Sequence, residues 1–214
     1  MLPTFFPLRG RRAAGPEGAS SKIRADTDAA PSDNRSMSRP DRLILDRAPS
    51  PIGELLIVTD EAGALRALDF HDYEHRLDRL LKTHYGPLRP EAGAAPAAIH
   101  QAMADYFDGK LDTLNTIAWA TNGTAFQYAV WTALTQIPVG QTITYSELAR
   151  RAGRPAAIRA AGHANGSNPL SIVAPCHRVI GMDGSLTGYG GGIERKRWLL
   201  AHERALGLGD LAAL

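Results

Sequence analysis

Apolar residues along this chain follow two different periods, and the change falls near residue 122. Between residues 42 and 122 the runs are short. Residues 43–45, 54–59 and 64–70 read as strands, and Pro51, Gly53, Asp60 and Gly63 separate them as turns would in a meander of antiparallel hairpins. Leu77, Leu80 and Leu81 then recur at helical spacing within 72–85, and 96–107 reads as a further helix. From residue 123 the helical period takes over. Thr124 stands where an N-cap belongs, ahead of a stripe of Phe126, Val130, Leu134 and Ile137. Pro138 ends that helix, and Gly140 turns the chain into an extended stretch at 142–145. Two short helices follow, at 146–152 and 156–164, broken by Gly153, Arg154 and Pro155. The expectation is an α+β protein: a small antiparallel sheet with helices over 42–122, a mainly helical part over 123–205, and a short tail at 206–214.

Residues 1–41 carry no such pattern. Pro, Gly, Ala, Ser and Arg dominate, and the segment is expected to be poorly ordered, with either Met37 as the natural start or the tail dispensable. The apolar run at 2–8 is too short and too broken by proline for a signal-peptide core, and Glu17, Asp26, Asp28 and Asp33 count against a transit peptide. No later stretch is long and apolar enough to span a membrane.

Charge alters the picture only locally. The formal net charge of +2 over 214 residues offers no global attraction for a polyanion. Over 138–205, however, nine basic residues face four acidic ones, which suits sequence-independent contact with phosphates. The second short helix is peculiar in composition, because Ala156, Ala157, Ala160, Ala161 and Gly162 surround one long side chain, Arg159. Small residues let a helix approach a groove closely, and the pair of helices reads as a helix-turn-helix suited to the minor groove. Spacing alone also admits an ordinary helix pair. His71, His75 and His84 are loosely spaced among charged residues and read as surface histidines.

The chain has a single cysteine, which excludes an internal disulfide and a multi-cysteine zinc site. It lies in Ser171-Ile172-Val173-Ala174-Pro175-Cys176-His177-Arg178-Val179-Ile180, with apolar runs on both sides of a Cys-His-Arg centre. A neighbouring imidazole or cation can activate a thiol. On these residues alone Cys176 is either a buried inert thiol or a nucleophile.

Pro175-Cys176-His177-Arg178-Val179 resembles the active-site signature of the O6-alkylguanine-DNA alkyltransferases. The resemblance continues through Ile143-Thr144-Tyr145-Ser146-Glu147, Ala157-Ile158-Arg159-Ala160-Ala161-Gly162, Asn168-Pro169, Thr187-Gly188-Tyr189-Gly190-Gly191-Gly192 and Lys196 to Glu203. It is dense from 124 to 203 and thin before that. It implies a ribonuclease H-like N-terminal part followed by a winged helix-turn-helix-like active-site part. It also implies a single-turnover repair reaction on O6-alkylguanine, and on O4-alkylthymine, in double-stranded DNA. Cys176 would accept the alkyl group, and Glu203 would orient His177. Neighbours on an extended chain point to opposite sides, so His177 would be the base of Cys176 through a water. Tyr145 would donate to the departing guanine, and Asn168 would be the hinge between the helix-turn-helix and the Cys176 loop. Arg159 would fill the gap left by an extruded nucleotide, with Ala157, Ala160 and Gly162 against the DNA. Tyr189, Gly190, Val179 and Lys196 would line the base pocket, Lys196 being as readily explained as an exposed helix residue. Some relatives have Ser where this chain has Gly190, so one hydroxyl contact is missing. Others bind zinc near the N-terminus through cysteines this chain lacks, so no metal and no cofactor are expected. A monomer in a bacterial-type cytoplasm is implied. Cys176 argues against a lesion sensor of the alkyltransferase-like kind, which lacks the cysteine. The absence of a further DNA-binding segment argues against a transcription regulator, and the adjacency of Cys176 and His177 against a papain-like hydrolase.

Overall fold

The computed structural model describes residues 39–205, so the expectations for the N-terminal tail and for 206–214 lie outside the described residues. Three strands form where short apolar runs alternate with turns: β1 (Leu43–Ala48), β2 (Leu55–Asp60) and β3 (Leu65–Phe70). They pair antiparallel in sequence order, as a meander should. A fourth strand, β4 (Pro90–Ala92), pairs parallel to β1 at the other edge, giving the order β3-β2-β1-β4. The sheet is therefore not purely antiparallel, which corrects the expectation. Three residues opening on a proline leave no period to read, and a parallel strand requires a crossover. That crossover is α1 (Glu74–Tyr85), preceded by a 3₁₀ turn at His71–Tyr73.

Strand β2 is buried at every position, because the sheet is covered on both faces. Leu56 and Val58 meet Leu77, Leu81 and Tyr85 of α1 in a small cluster with Leu43 and Ala67. Leu55 and Ile57 point the other way, as strand periodicity requires, into the main core. That core runs without a break from the sheet through α2 (Ala97–Phe107), α3 (Ala125–Thr135), α4 (Tyr145–Arg151) and α5 (Ile158–Gly166) to α6 (Ile193–His202). Thr124 caps α3 in a capping box with Gln127, the side chain of each accepting from the other's backbone N–H. The helix stops at Thr135, and Ile137 extends its buried stripe from the following turn.

Two strand-like contacts extend the edge of β3, and one of them fastens the halves of the chain together. The Leu68 N–H donates to Pro169 O, and the Ser171 N–H donates back to Leu68 O, so residues 169–171 lie along the edge of β3. Leu65 is bridged in the same way to Trp119. The open edge of the sheet is thus occupied by the segment that leads to Cys176. The pair β5 (Ile143–Thr144) and β6 (Val179–Ile180) holds the far side of that segment. Beneath it Trp131 is fully buried, and its indole N–H donates to Ala164 O in α5 at 2.9 Å. Trp131→Ala removes the largest buried side chain and leaves a void under α5. Urea denaturation should show a loss of roughly 3–5 kcal/mol, and a change below about 1 kcal/mol would mean that α5 does not depend on this packing.

Candidate active site

The segment from Asn168 to Cys176 is almost without exposed surface, so its backbone polar groups need partners inside the protein. The Asn168 side chain supplies several. Its Oδ1 accepts from the Leu170 N–H at 3.0 Å, and its Nδ2 donates to Ala174 O at 2.7 Å. That is an Asx turn extended by one further bond. From the other side Arg76 of α1 donates to the carbonyls of Gly166 and Asn168 at 3.0 and 2.9 Å, while its other arm is paired with buried Asp69 of β3. Within this cage Ile172 has φ 69°, a left-handed conformation that a β-branched residue adopts only under constraint.

Cys176–Arg178 is a 3₁₀ turn, not the extended chain expected. The side chains of Cys176 and His177 therefore diverge by about 120° rather than 180°. Cys176 is 4% exposed, and burial pushes its thiol pKa up, against the opposing pull of Asn168, Arg76 and Lys196. His177 is fully buried, and burial pulls its pKa down although Glu203 opposes this. Its Nε2 lies 3.0 Å from Glu203 Oε1, and its buried Nδ1 meets no protein partner among the described residues. Between about pH 6.5 and 9 the resting pair is thus a thiol beside a neutral imidazole.

Glu203 is not a solvated helix charge but a buried hub at the C-cap of α6. Arg178 donates to it through Nε and Nη2, each at 2.8 Å, and the Tyr106 hydroxyl donates at 2.7 Å. Burial alone would raise its pKa, but His177 and Arg178 outweigh that and hold the carboxylate far below its usual range. The third arm of Arg178 donates to Ile137 O. Burial, reinforced by repulsion from Arg178, keeps His177 neutral at neutral pH despite the carboxylate beside it. Arg178 is therefore a structural partner of Glu203.

The residues expected to line a base pocket lie on the other side of the turn. Lys196 is fully buried, which overturns its reading as an exposed helix residue. Its ammonium donates to the carbonyls of Val179 and Thr187 at 2.6 and 2.7 Å, and burial lowers its pKa to about 8. Val179 lies in β6, and because Ile143 pairs with it, Tyr145 is delivered two residues later beside the turn. Tyr145 opens α4 and its hydroxyl accepts from Thr187 Oγ1 at 3.2 Å, while Gly162 of α5 faces its ring. The Tyr189 ring stands edge-on to His177, with centroids 6.3 Å apart. Gly190 has a steric reason to be glycine, since a Cβ there would come within 2.5 Å of the Arg76 guanidinium carbon. A serine at this position would have to displace a buried, ion-paired arginine.

Arg159, Ala157 and Ala160 are not part of this cluster. Arg159 and Ala160 are exposed on the outer face of α5 and Ala157 lies at its N-cap, with Arg159 unpaired among the described residues. Of the three histidines read as surface residues, His71 and His75 are exposed, but His84 is half-buried and packs edge-on against Trp131. No group of three or more potential metal ligands occurs among the described residues.

Three residues that sequence reasoning passed over, Tyr106, Asp69 and Arg76, come from the N-terminal half of the chain. Two carried a signal. Asp69 interrupts an apolar strand, and Arg76 shares the buried face of α1 with Leu77 and Leu80. Tyr106 in an apolar helix carried none.

Residues 125–205 match the family model of the 6-O-methylguanine DNA methyltransferase DNA-binding domain. The methylated-DNA–protein-cysteine methyltransferase of Salmonella typhimurium is 49% identical over 164 residues, which is 76% of this chain and 96% of that protein. The crystal structure of the O6-methylguanine methyltransferase of Mycobacterium tuberculosis superposes with a TM-score of 0.61 at 39% identity, covering 80% of this chain and 98% of that one. The OGT of the same organism in complex with DNA gives a TM-score of 0.62 at 39% identity, covering 77% and 93%. Similarity of this depth, over almost the full length of the relatives, means that the chain belongs to the methylated-DNA–protein-cysteine methyltransferase family.

Proposed function

We propose that this protein repairs alkylated DNA by moving the alkyl group from O6 of guanine to Sγ of Cys176. The observation that carries the reading is the buried turn that sets Cys176 beside a neutral His177, itself fixed by Glu203. The thiol proton passes through a water to His177 Nδ1. The sulfur then attacks the alkyl carbon, an S–C bond forms, the C–O6 bond breaks, and its electron pair stays on guanine. The imidazolium formed on His177 is stabilised by Glu203, in the general logic of a base oriented by a carboxylate. The Tyr145 hydroxyl donates a hydrogen bond at N3 of the departing base, so that its charge is shared. The product is a thioether with no return path, and the acceptor is the protein itself, so no cofactor takes part. O4-alkylthymine offers the same electrophilic carbon and is a second substrate.

The finer architecture follows the same reading: a ribonuclease H-like part before residue 122, and a winged helix-turn-helix formed by α4 and α5 with Asn168 as its hinge. A guanine O6 inside a duplex is out of reach of a buried sulfur, so the nucleotide is extruded into the pocket lined by Tyr189, Gly190, Val179 and Lys196. The protein acts as a monomer in the cytoplasm, with α5 in the minor groove, Ala157, Ala160 and Gly162 close to the DNA, and Arg159 in the space the base leaves.

Stoichiometry tests the acceptor. On excess duplex holding O6-methylguanine, one methyl per chain should transfer and the mass gain should map to the Cys176 peptide, whereas continued turnover would refute a consumed acceptor.

The pH profile tests His177. Burial holds its folded pKa below the usual 6.5, so protonation is favoured in the unfolded chain, and stability present above pH 6.5 is lost as pH falls below it. Transfer to Cys176 from the free base O6-benzylguanine should accordingly be flat near neutrality, with an acid limb below pH 6.5. A rate that instead climbs steadily towards pH 9, following thiol ionisation alone, would remove His177 from the mechanism.

Arg159→Ala separates extrusion from chemistry. Without the side chain that fills the stack, an unstacking cost of a few kcal/mol is no longer offset, so duplex repair should fall roughly ten- to a thousandfold. Single strands should lose less and O6-benzylguanine least. Equal losses on all three would place Arg159 in the support of the fold.

A further inference from the structure

A second cleft, of about 470 Å³, separates α5 from α1 and is distinct from the alkyl-transfer site. Arg76, Arg79 and Leu80 line it from α1, and Arg159 and His163 from α5, with no carboxylate among its lining residues. Arg79, Arg159 and His163 are exposed, and none of the three is ion-paired among the described residues. Arg76 faces inward instead. By donating to Gly166 O and Asn168 O it covers the carbonyl end of α5, which would otherwise repel an anion entering the cleft. Arg79 also borders an adjoining groove of about 400 Å³, where Lys82 and Arg89 are exposed beside a single acid, Asp78. A basic line thus leads from Arg159 on α5 across His163 and Arg79 to Lys82 and Arg89.

Cations held this close without counter-charges repel one another, and such an arrangement suits a polyanion that neutralises them. The pairs Arg159/His163 and Arg79/Lys82 stand four and three residues apart on their helices, so each pair presents neighbouring side chains. Arginine's planar fork suits phosphate oxygens in particular. We propose that this line is a track for the phosphate backbone flanking the extruded nucleotide, so that DNA contact extends from α5 onto α1 of the N-terminal half. The inference rests on the repair reading, in which Arg159 enters the duplex. DNA is favoured over an acidic protein because the same Arg159 lines both the proposed duplex contact and this cleft. Contacts of this kind fix the register of a duplex without reading its sequence.

The test is equilibrium binding of the full chain to a duplex holding O6-methylguanine, across a range of salt. Arg79→Ala and Lys82→Ala, singly and together, are compared with Lys110→Ala, which removes the same charge from the loop after α2. Each α1 substitution should lower the slope of log affinity against log salt by about 0.9, while Lys110→Ala leaves it unchanged. Replacing one flanking phosphate by a neutral methylphosphonate should weaken the original protein but not Arg79→Ala. The rate on O6-benzylguanine, which needs no duplex, reports that each variant is folded. Unaltered slopes in folded α1 variants, or an equal effect from Lys110→Ala, would overturn the track and leave the repair reading intact. Absence of salt-dependent duplex binding and of methyl transfer in the original protein would overturn both.

Discussion

One buried carboxylate ties the chemistry to the fold. Glu203 receives hydrogen bonds from Tyr106, His177 and Arg178, which belong to α2 and to the turn that carries Cys176, while Arg178 reaches on to the end of the α3 segment at Ile137. A carboxylate so far from water is tolerated because every donor around it is fixed in place. Removing it would strand a guanidinium in the interior, at a cost of about 3–5 kcal/mol. The same group that sets the orientation of His177 is therefore a keystone between the helices. Orientation of His177 and integrity of the core are one constraint, and a mutation at Glu203 touches both.

The second constraint is the fastening of residues 168–176. This segment is pinned by the β3 edge, by the Asn168 side chain and by Arg76, and those three restraints hold Ile172 in a backbone conformation it would not choose. Strain of about 1–3 kcal/mol persists only where neighbours over-determine the geometry. The N-terminal sheet, where no reacting group was evident, thus contributes to the site by holding its backbone.

Much of this was legible in the residues. Strands β1 to β3 and the helices follow from short apolar runs and from leucine spacing, and the cap at Thr124 from its hydroxyl. Cys176, His177, Tyr145, Asn168, Lys196 and Glu203 were found through motif resemblance, and the structure gathers them around one turn. What the residues did not disclose is burial of charge. Lys196 and Glu203 look like ordinary polar positions on a C-terminal helix, and only the tertiary contacts show them without exposure. Strand β4 was missed because its pairing is decided by the crossover rather than by its own three residues. The turn at Cys176 is equally invisible, because three residues between apolar runs carry no period that separates a 3₁₀ turn from extended chain.

The burial of Cys176 has a consequence for how the molecule ages. Peroxide and stray electrophiles react with thiolates that they can reach. Here the sulfur is 4% exposed and burial favours its protonated form, so idle copies should resist oxidation while no lesion is present. If each copy is consumed in one event, as the proposed reaction requires, a long dormant lifetime matters as much as the speed of that event. The packing that favours the protonated thiol keeps each copy fit for use.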